Sequence, residues 1–352
     1  MEINEYIQQK KKIQNFLLKY IENENDDKGD FISLCDIIEN QNIQKNHDEY
    51  ENFLYLLCKI SKNYHRYPIF FQKIEQIVNY LVPTIKQSFT NTELFNIFKR
   101  NKRFLIFLIE KKIMEIDENI FNLIYEKYDS LYFYPEIQPF LKKDTIKNKL
   151  LEIDSDIFSE YEEKRQNGEN DSYICQLIRN DSIEDFVSYV NRNNFSLSNT
   201  IKPSIFETNP FLIKQENQTL IEYAAFFGSI QIFQYLRFNN VRLKPSLWLY
   251  AIHGKNGEII HLLEENDVKL TDLLCTECYE EAIKCHHNDI ANYFKIKYMN
   301  DGNDCQKFDY CYRYFNYELF QENAFHNFSS FCFFCKYNYK TLVKLYFKNE
   351  NE

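Results

Sequence analysis

The sequence predicts an all-α protein, a solenoid of helix pairs preceded by an α-helical N-terminal region. Three observations carry this. Glycine (6) and proline (7) are too scarce in 352 residues to supply the tight turns of a hairpin-built sandwich or barrel. Apolar residues, 44% of the chain, recur at helical spacing and form no alternating run of useful length. Alanine occurs only six times, and four of these, Ala224, Ala225, Ala251 and Ala282, fall at corresponding places of a weak internal period.

The elements follow in order. Residues 1–150 read as consecutive amphipathic helices over 3–20, 31–40, 50–61, 70–81 and 93–113, punctuated by Pro68, Pro83 and Pro135. In the third, Phe53, Leu54, Leu57 and Ile60 share one face, which assigns that face to a core. The segment 92–113 reads as a helix pair in itself, because Arg100-Asn101-Lys102-Arg103 interrupts two apolar helices and Ile116-Asp117 follows like a connecting finger. A continuous solenoid is one reading; two packed regions are favoured, because residues 151–171 are rich in Asp and Glu and read as an acidic connection.

Residues 172–352 read as the degenerate array, most regular over 217–299. Twelve residues after Ala224, Ala251 and Ala282 stand Leu236, Leu263 and Phe294, and between them Ile232-Phe233, Ile259-Ile260 and Ile290-Ala291 occupy matching places. Ile230, Phe233 and Leu236 are expected to point inward as one stripe. Two short helices cannot bury their faces alone, so each pair leans on the next and small residues allow the approach. Asn240 and Asp267 end the second helices, where a left-handed turn is required and Asn or Asp tolerates it. Residues 241–246 and 268–272 then form fingers ending at helix caps, Ser246 and Asp272. Upstream, 173–180 with 182–190 and Asn193 fits a terminal pair without its alanine. Downstream, 327–336 and 339–346 fit again after a Tyr-rich insertion over about 300–326.

These residues carry a family resemblance. The run 219–243, then Pro245-Ser-Leu-Trp-Leu-Tyr-Ala-Ile-His-Gly254, 258–266 and 281–290, together with 66–71, 101–108 and 134–140, resembles a protist family of ankyrin-repeat proteins with a family-specific helical N-terminal domain of unknown function. The resemblance implies an ankyrin-like solenoid that acts as a non-catalytic scaffold for a protein partner, with no catalytic residues to transfer. The sequence departs from the general ankyrin pattern in having Leu220 where proline is usual and Glu222 where histidine is usual.

Composition narrows the function further. A net charge of −10 offers no basic surface for a nucleic-acid backbone. The longest charge-free apolar run, 104–109, is far short of the about 20 residues that span a bilayer. The acidic start Met1-Glu2 lacks a secretory signal, so an intracellular, cytoplasmic location is expected, with reduced thiols.

No constellation predicts an enzyme or a cofactor. Cys275-x-x-Cys278 with Cys332-x-x-Cys335 is the candidate zinc set, and Cys285-His286-His287 adds further ligand types. Buried thiols are the favoured reading, because apolar neighbours surround both pairs. His253, His261, His286 and His287 lack nucleophile partners at motif spacing. The segment 253–257 lacks the phosphate-loop pattern. The pairs Glu162-Glu163, Glu264-Glu265 and Glu280-Glu281 are adjacent on helices and read as solvated charge. Trp248, the only tryptophan, matches the core position of Ile221; packing is favoured over a partner anchor. The partner-binding candidates are therefore the finger residues Arg242, Lys244, Lys269, Thr271 and Asp272, with Trp248 behind them. The alternatives to a scaffold are an enzyme hidden in the N-terminal helices and a zinc-stabilised module.

Overall fold

The computed structural model describes residues 2–23, 28–63, 69–126, 130–141, 160–299, 304–320 and 328–350. Among them lie 21 α-helices and no strand. The all-α expectation therefore holds. The chain divides into two compact units that do not follow chain order. The first comprises 1–80, 225–230 and 242–352; the second comprises 81–224 and 231–241.

In the second unit, α5 (Asn91–Phe98) and α6 (Lys102–Glu110) form the pair read from 92–113. Thr90 and Glu93 make a reciprocal capping box on α5, and Asn101 caps α6 through the Phe104 N–H. Phe98 stacks on Phe104 at 4.2 Å between ring centroids, closing the pair. Residues 151–159 of the acidic connection lie outside the described residues, and its remainder forms α9 (Tyr161–Asn167) after α7 (Glu118–Glu126) and α8 (Tyr134–Ile137). Arg165 of α9 is buried against Glu136 at 2.7 Å. The pair α10 (Tyr173–Arg179) and α11 (Ile183–Arg192) follows as expected, and α12 (Pro210–Lys214) precedes α13 (Leu220–Phe227). At the head of α13, Thr219 Oγ1 accepts from the Glu222 N–H while the Glu222 carboxylate accepts from the Thr219 N–H, a reciprocal capping box.

The helices α14 (Ile230–Phe238), α15 (Leu247–His253), α16 (Gly257–Glu265), α17 (Asp272–Lys284), α18 (Asn288–Tyr298), α19 (Asp304–Tyr314), α20 (Phe328–Lys336) and α21 (Lys340–Glu350) complete the carboxy-terminal half. Leu236, Leu263 and Phe294 are fully buried at the positions the alanine period marked. Ile232, not Ile230, joins Phe233 and Leu236 in the α14 stripe, because a small step along a helix turns the side chain from the rim to the core.

Left-handed residues recur at the helix ends: Gly228, Asn240, Lys255, Asp267, His286, Phe315 and Asn338. Asn240 (φ 61°) and Asp267 (φ 47°) are the two expected. The N–H after each of six of them reaches five residues back, as Val241 to Leu236 O, Asn256 to Ala251 O, Val268 to Leu263 O, His287 to Ala282 O, Asn316 to Cys311 O and Tyr339 to Phe334 O. The Tyr-rich segment is thus not an insertion throughout. Residues 304–314 form α19, which packs on α17 and ends at left-handed Phe315 like the first helix of the earlier pairs. Cys311 and Tyr312 are its buried residues among those described, in a sequence otherwise polar and rich in tyrosine. Residues 300–303 and 321–327 lie outside the described residues.

Side chains link successive turns of the first unit. Asn256 Nδ2 donates to Gly228 O at 3.3 Å, Asn316 Nδ2 to Ile283 O at 3.0 Å and Tyr339 Oη to Tyr312 O at 2.8 Å; His287 Nε2 lies 3.4 Å from His253 O. Gly254 is required at one of these joints, since a Cβ there would stand 2.6 Å from Ala225 O.

The N-terminal helices of the first unit are α1 (Ile3–Glu22), α2 (Lys28–Asn40), α3 (His47–Asn63) and the start of α4 (Phe70–Ser88). Pro83 does not end α4. Its missing N–H costs one backbone bond, and buried Leu81 and Ile85 carry the apolar stripe past it. Pro68 lies outside the described residues, and Pro135 starts α8. Helix α1, about 30 Å long at 1.5 Å per residue, runs along the row of turns: Glu22 bonds Lys255 at 2.7 Å, Gln14 bonds Asn316 at 3.1 Å and Asn15 bonds Glu318 at 3.2 Å. Helix α3 extends this packing, with Tyr55 stacked on Phe315, Glu51 on Lys340 at 2.8 Å and Asp48 on Lys344 at 2.7 Å. Lys10 and Tyr6 of α1 and Thr341 of α21 converge on the buried Glu49 carboxylate.

Candidate functional site

The two fingers share a register. Val241-Arg242-Leu243 and Val268-Lys269-Leu270 each follow a left-handed residue, and each valine N–H is tied to the carbonyl five residues back. This fixes the finger backbone and leaves Arg242, Lys244, Lys269, Thr271 and Asp272 exposed. Leu273, next in line at the start of α17, is 72% exposed. Caps differ from expectation. Ser246 makes no capping bond, because the α15 entrance is a tight turn with Leu247 N bonded to Lys244 O and Trp248 N to Pro245 O. Thr271, not Asp272, caps α17 through the Leu274 N–H; Asp272 occupies the first turn.

Trp248 is 2% exposed and lies in the core. Its indole N–H donates to Val268 O at 3.1 Å and its ring meets Phe294 edge-on at 6.0 Å. Trp248 therefore props the second finger from below. Behind the same finger, Glu264 gathers hydroxyls of Tyr293 and Tyr298 and the ammonium of Lys297.

The candidate zinc cysteines do not converge. Cys275 and Cys278 are buried on α17, Cys332 and Cys335 are exposed on α20, and no three of the four meet in a group that could hold a metal among the described residues. Exposure of Cys332 and Cys335 also departs from the buried-thiol expectation: on this helix Ser330 and Phe334, not the cysteines, face inward.

A different group does converge. His253 at the end of α15 faces Glu281 and Cys285, one helical turn apart at the end of α17. His253 Nδ1 lies 2.7 Å from Glu281 Oε1 and 3.4 Å from Cys285 Sγ, and Sγ lies 3.5 Å from Oε1. Lys284 Nζ bonds both Glu281 oxygens at 2.9 Å, and Phe226 stacks on the imidazole at 4.5 Å. Burial raises the Glu281 pKa, but the Lys284 charge and the His253 bond outweigh it and hold the carboxyl at about 2. Burial, then the Glu281 charge, pushes the Cys285 thiol well up. Carboxylate and thiol approach the same ring nitrogen, and an Nδ1–H donated to ionised Glu281 cannot accept the thiol proton.

Next to it, His286 adopts φ 58° and is buried, with neither ring nitrogen in a hydrogen bond of normal geometry. Burial lowers its pKa to about 4, so it is neutral near pH 7. His261 is on the surface, 3.5 Å from Glu264.

Comparison with protein-family models, with curated proteins and with solved structures finds no match to this chain.

Proposed function

We propose that the chain is a non-catalytic protein-protein interaction scaffold, built on ankyrin-like helix pairs of the protist family it resembles, with the two fingers as its binding surface. The observation that carries this reading is the repeated finger. Two consecutive segments are locked in the same register by backbone bonds, the second braced from below by Trp248, and leave Arg242 and Lys269 at equivalent exposed positions. Recurrent left-handed turns and the side-chain bonds between successive turns support stacking of the pairs. The N-terminal helices lie along the row of turns of their own unit, so that edge is covered from within the chain while the finger side chains stay exposed. The His253 cluster is buried, away from any substrate in solution, which weighs against the enzyme alternative.

The test is comparative capture on the immobilised full chain. Proteins retained by the wild type and lost on Arg242→Glu with Lys244→Glu support the finger surface. Retention unchanged by substitution at all five of Arg242, Lys244, Lys269, Thr271 and Asp272 refutes it.

A further inference from the structure

The His253, Glu281 and Cys285 group mixes imidazole, carboxylate and thiol in a buried setting, the ligand chemistry of a borderline-soft divalent cation rather than of Mg²⁺ or Ca²⁺. The two helices that carry it, α15 and α17, are packed neighbours, so its geometry is set by the fold and not by a mobile loop. We propose that these three residues form a zinc site that pins α15 to α17.

The distances support it. With Zn–S about 2.3 Å and Zn–N or Zn–O about 2.0–2.1 Å, tetrahedral angles place a sulfur about 3.5 Å from each light ligand and the two light ligands about 3.3 Å apart. The two sulfur separations, 3.4 and 3.5 Å, already match. Only the Nδ1 to Oε1 edge, 2.7 Å as a hydrogen bond, must open, by about 0.6 Å to reach that tetrahedral edge. A rotation of the imidazole or the carboxylate suffices.

Charge and protons balance. Cys285 loses its thiol proton to solvent, and His253 keeps one proton, moved from Nδ1 to Nε2, so that Nδ1 offers its lone pair. Thiolate and carboxylate then neutralise Zn²⁺. Lys284, whose side chain is 17% exposed, remains an outer partner of the second carboxylate oxygen or turns outward. The neighbouring His286 and His287, which adjacency in sequence brings to mind, do not belong to the group.

The test uses the full chain carrying Cys332→Ser and Cys335→Ser, which removes the exposed thiols. Titration with Co²⁺ as a spectroscopic substitute is expected to give one equivalent bound with a thiolate-to-cobalt charge-transfer band. The further change Cys285→Ser is expected to abolish the band, and His253→Gln to weaken binding at least tenfold. No band, or a band that survives Cys285→Ser, overturns the proposal. Should those variants lose their helical circular dichroism, X-ray absorption on the zinc-loaded chain with Cys285 and His253 intact decides: one sulfur with nitrogen and oxygen neighbours supports the site, and none or several sulfurs overturns it.

Discussion

The side-chain amide of Gln14 donates to Asn316 Oδ1 at 3.1 Å while its Oε1 accepts from the Tyr317 N–H at 2.7 Å, fastening the first helix to a turn 302 residues further along the chain. Gln14 is fully buried, so truncation strands both partners away from water. Each such orphan costs about 1–3 kcal/mol. Gln14→Ala is expected to lower unfolding stability by about 2–4 kcal/mol, whereas Asn15→Ala, beside it on the surface, stays within about 0.5 kcal/mol. Urea unfolding of the two variants measures the contrast, and equal effects would sink the assignment.

Lys10 and Glu49 form a buried ion pair in which Tyr6 and Thr341 supply the remaining donors to the carboxylate. Burial pulls the Lys10 amine down, and Glu49 opposes that pull. Removing only the cation leaves a buried carboxylate with neutral partners, a loss of about 3–5 kcal/mol. Lys10→Met is therefore expected to be severely destabilising, and the double variant Lys10→Met with Glu49→Gln to recover most of the loss. Thermal melts that show the double variant no better than the single one would contradict this.

Gly254 has no room for a methyl group: Ala225 O and Phe226 O would lie 2.6 and 2.8 Å from it. Both are backbone atoms, which cannot swing aside as a side chain does. Gly254→Ala is expected to cost about 3 kcal/mol, at the upper end of overpacking effects. Gly257, with open space around it, provides the control, since Gly257→Ala in the first turn of α16 is expected to be neutral or mildly stabilising. Differential scanning calorimetry reads both.

Burial raises the Glu264 pKa, but bonds from Tyr293, Tyr298 and Lys297 outweigh it and hold the carboxyl at about 2, below its ordinary 4.5. The folded state thus binds this proton less readily than the unfolded state. The contribution to stability is present in full above pH 4.5 and fades as pH falls toward 2. Glu264→Gln is expected to lower the melting temperature at pH 7 and to converge with the wild type near pH 2. A constant difference across that range would show the carboxylate bonds to be without effect.

What the sequence disclosed depended on how local the cause was. Asn240 and Asp267 were readable as left-handed turn residues because their side chains tolerate that backbone. Lys255 and Phe315 take the same conformation without such a propensity, so no residue type announced these turns. Helix α19 was obscured by polar and tyrosine residues whose burial depends on neighbours from other helices. The His253 cluster was illegible for the same reason, since Glu281 and Cys285 stand 28 and 32 residues away and no spacing rule links them. The cap on α17 was misassigned by one residue, Asp272 for Thr271, because both are good capping types and only the backbone turn distinguishes them.

The bonds from Glu49 to Thr341 and from Asp48 to Lys344 have a consequence for the chain at birth. Ribosomes add about 5–20 residues per second, so about 15–60 s separate the synthesis of Glu49 from that of Thr341. During that interval α1 has α2 beside it, but the neighbour that α21 supplies to both α1 and α3 does not yet exist. Helices α1 and α3 thus complete their packing only when α21 has been made.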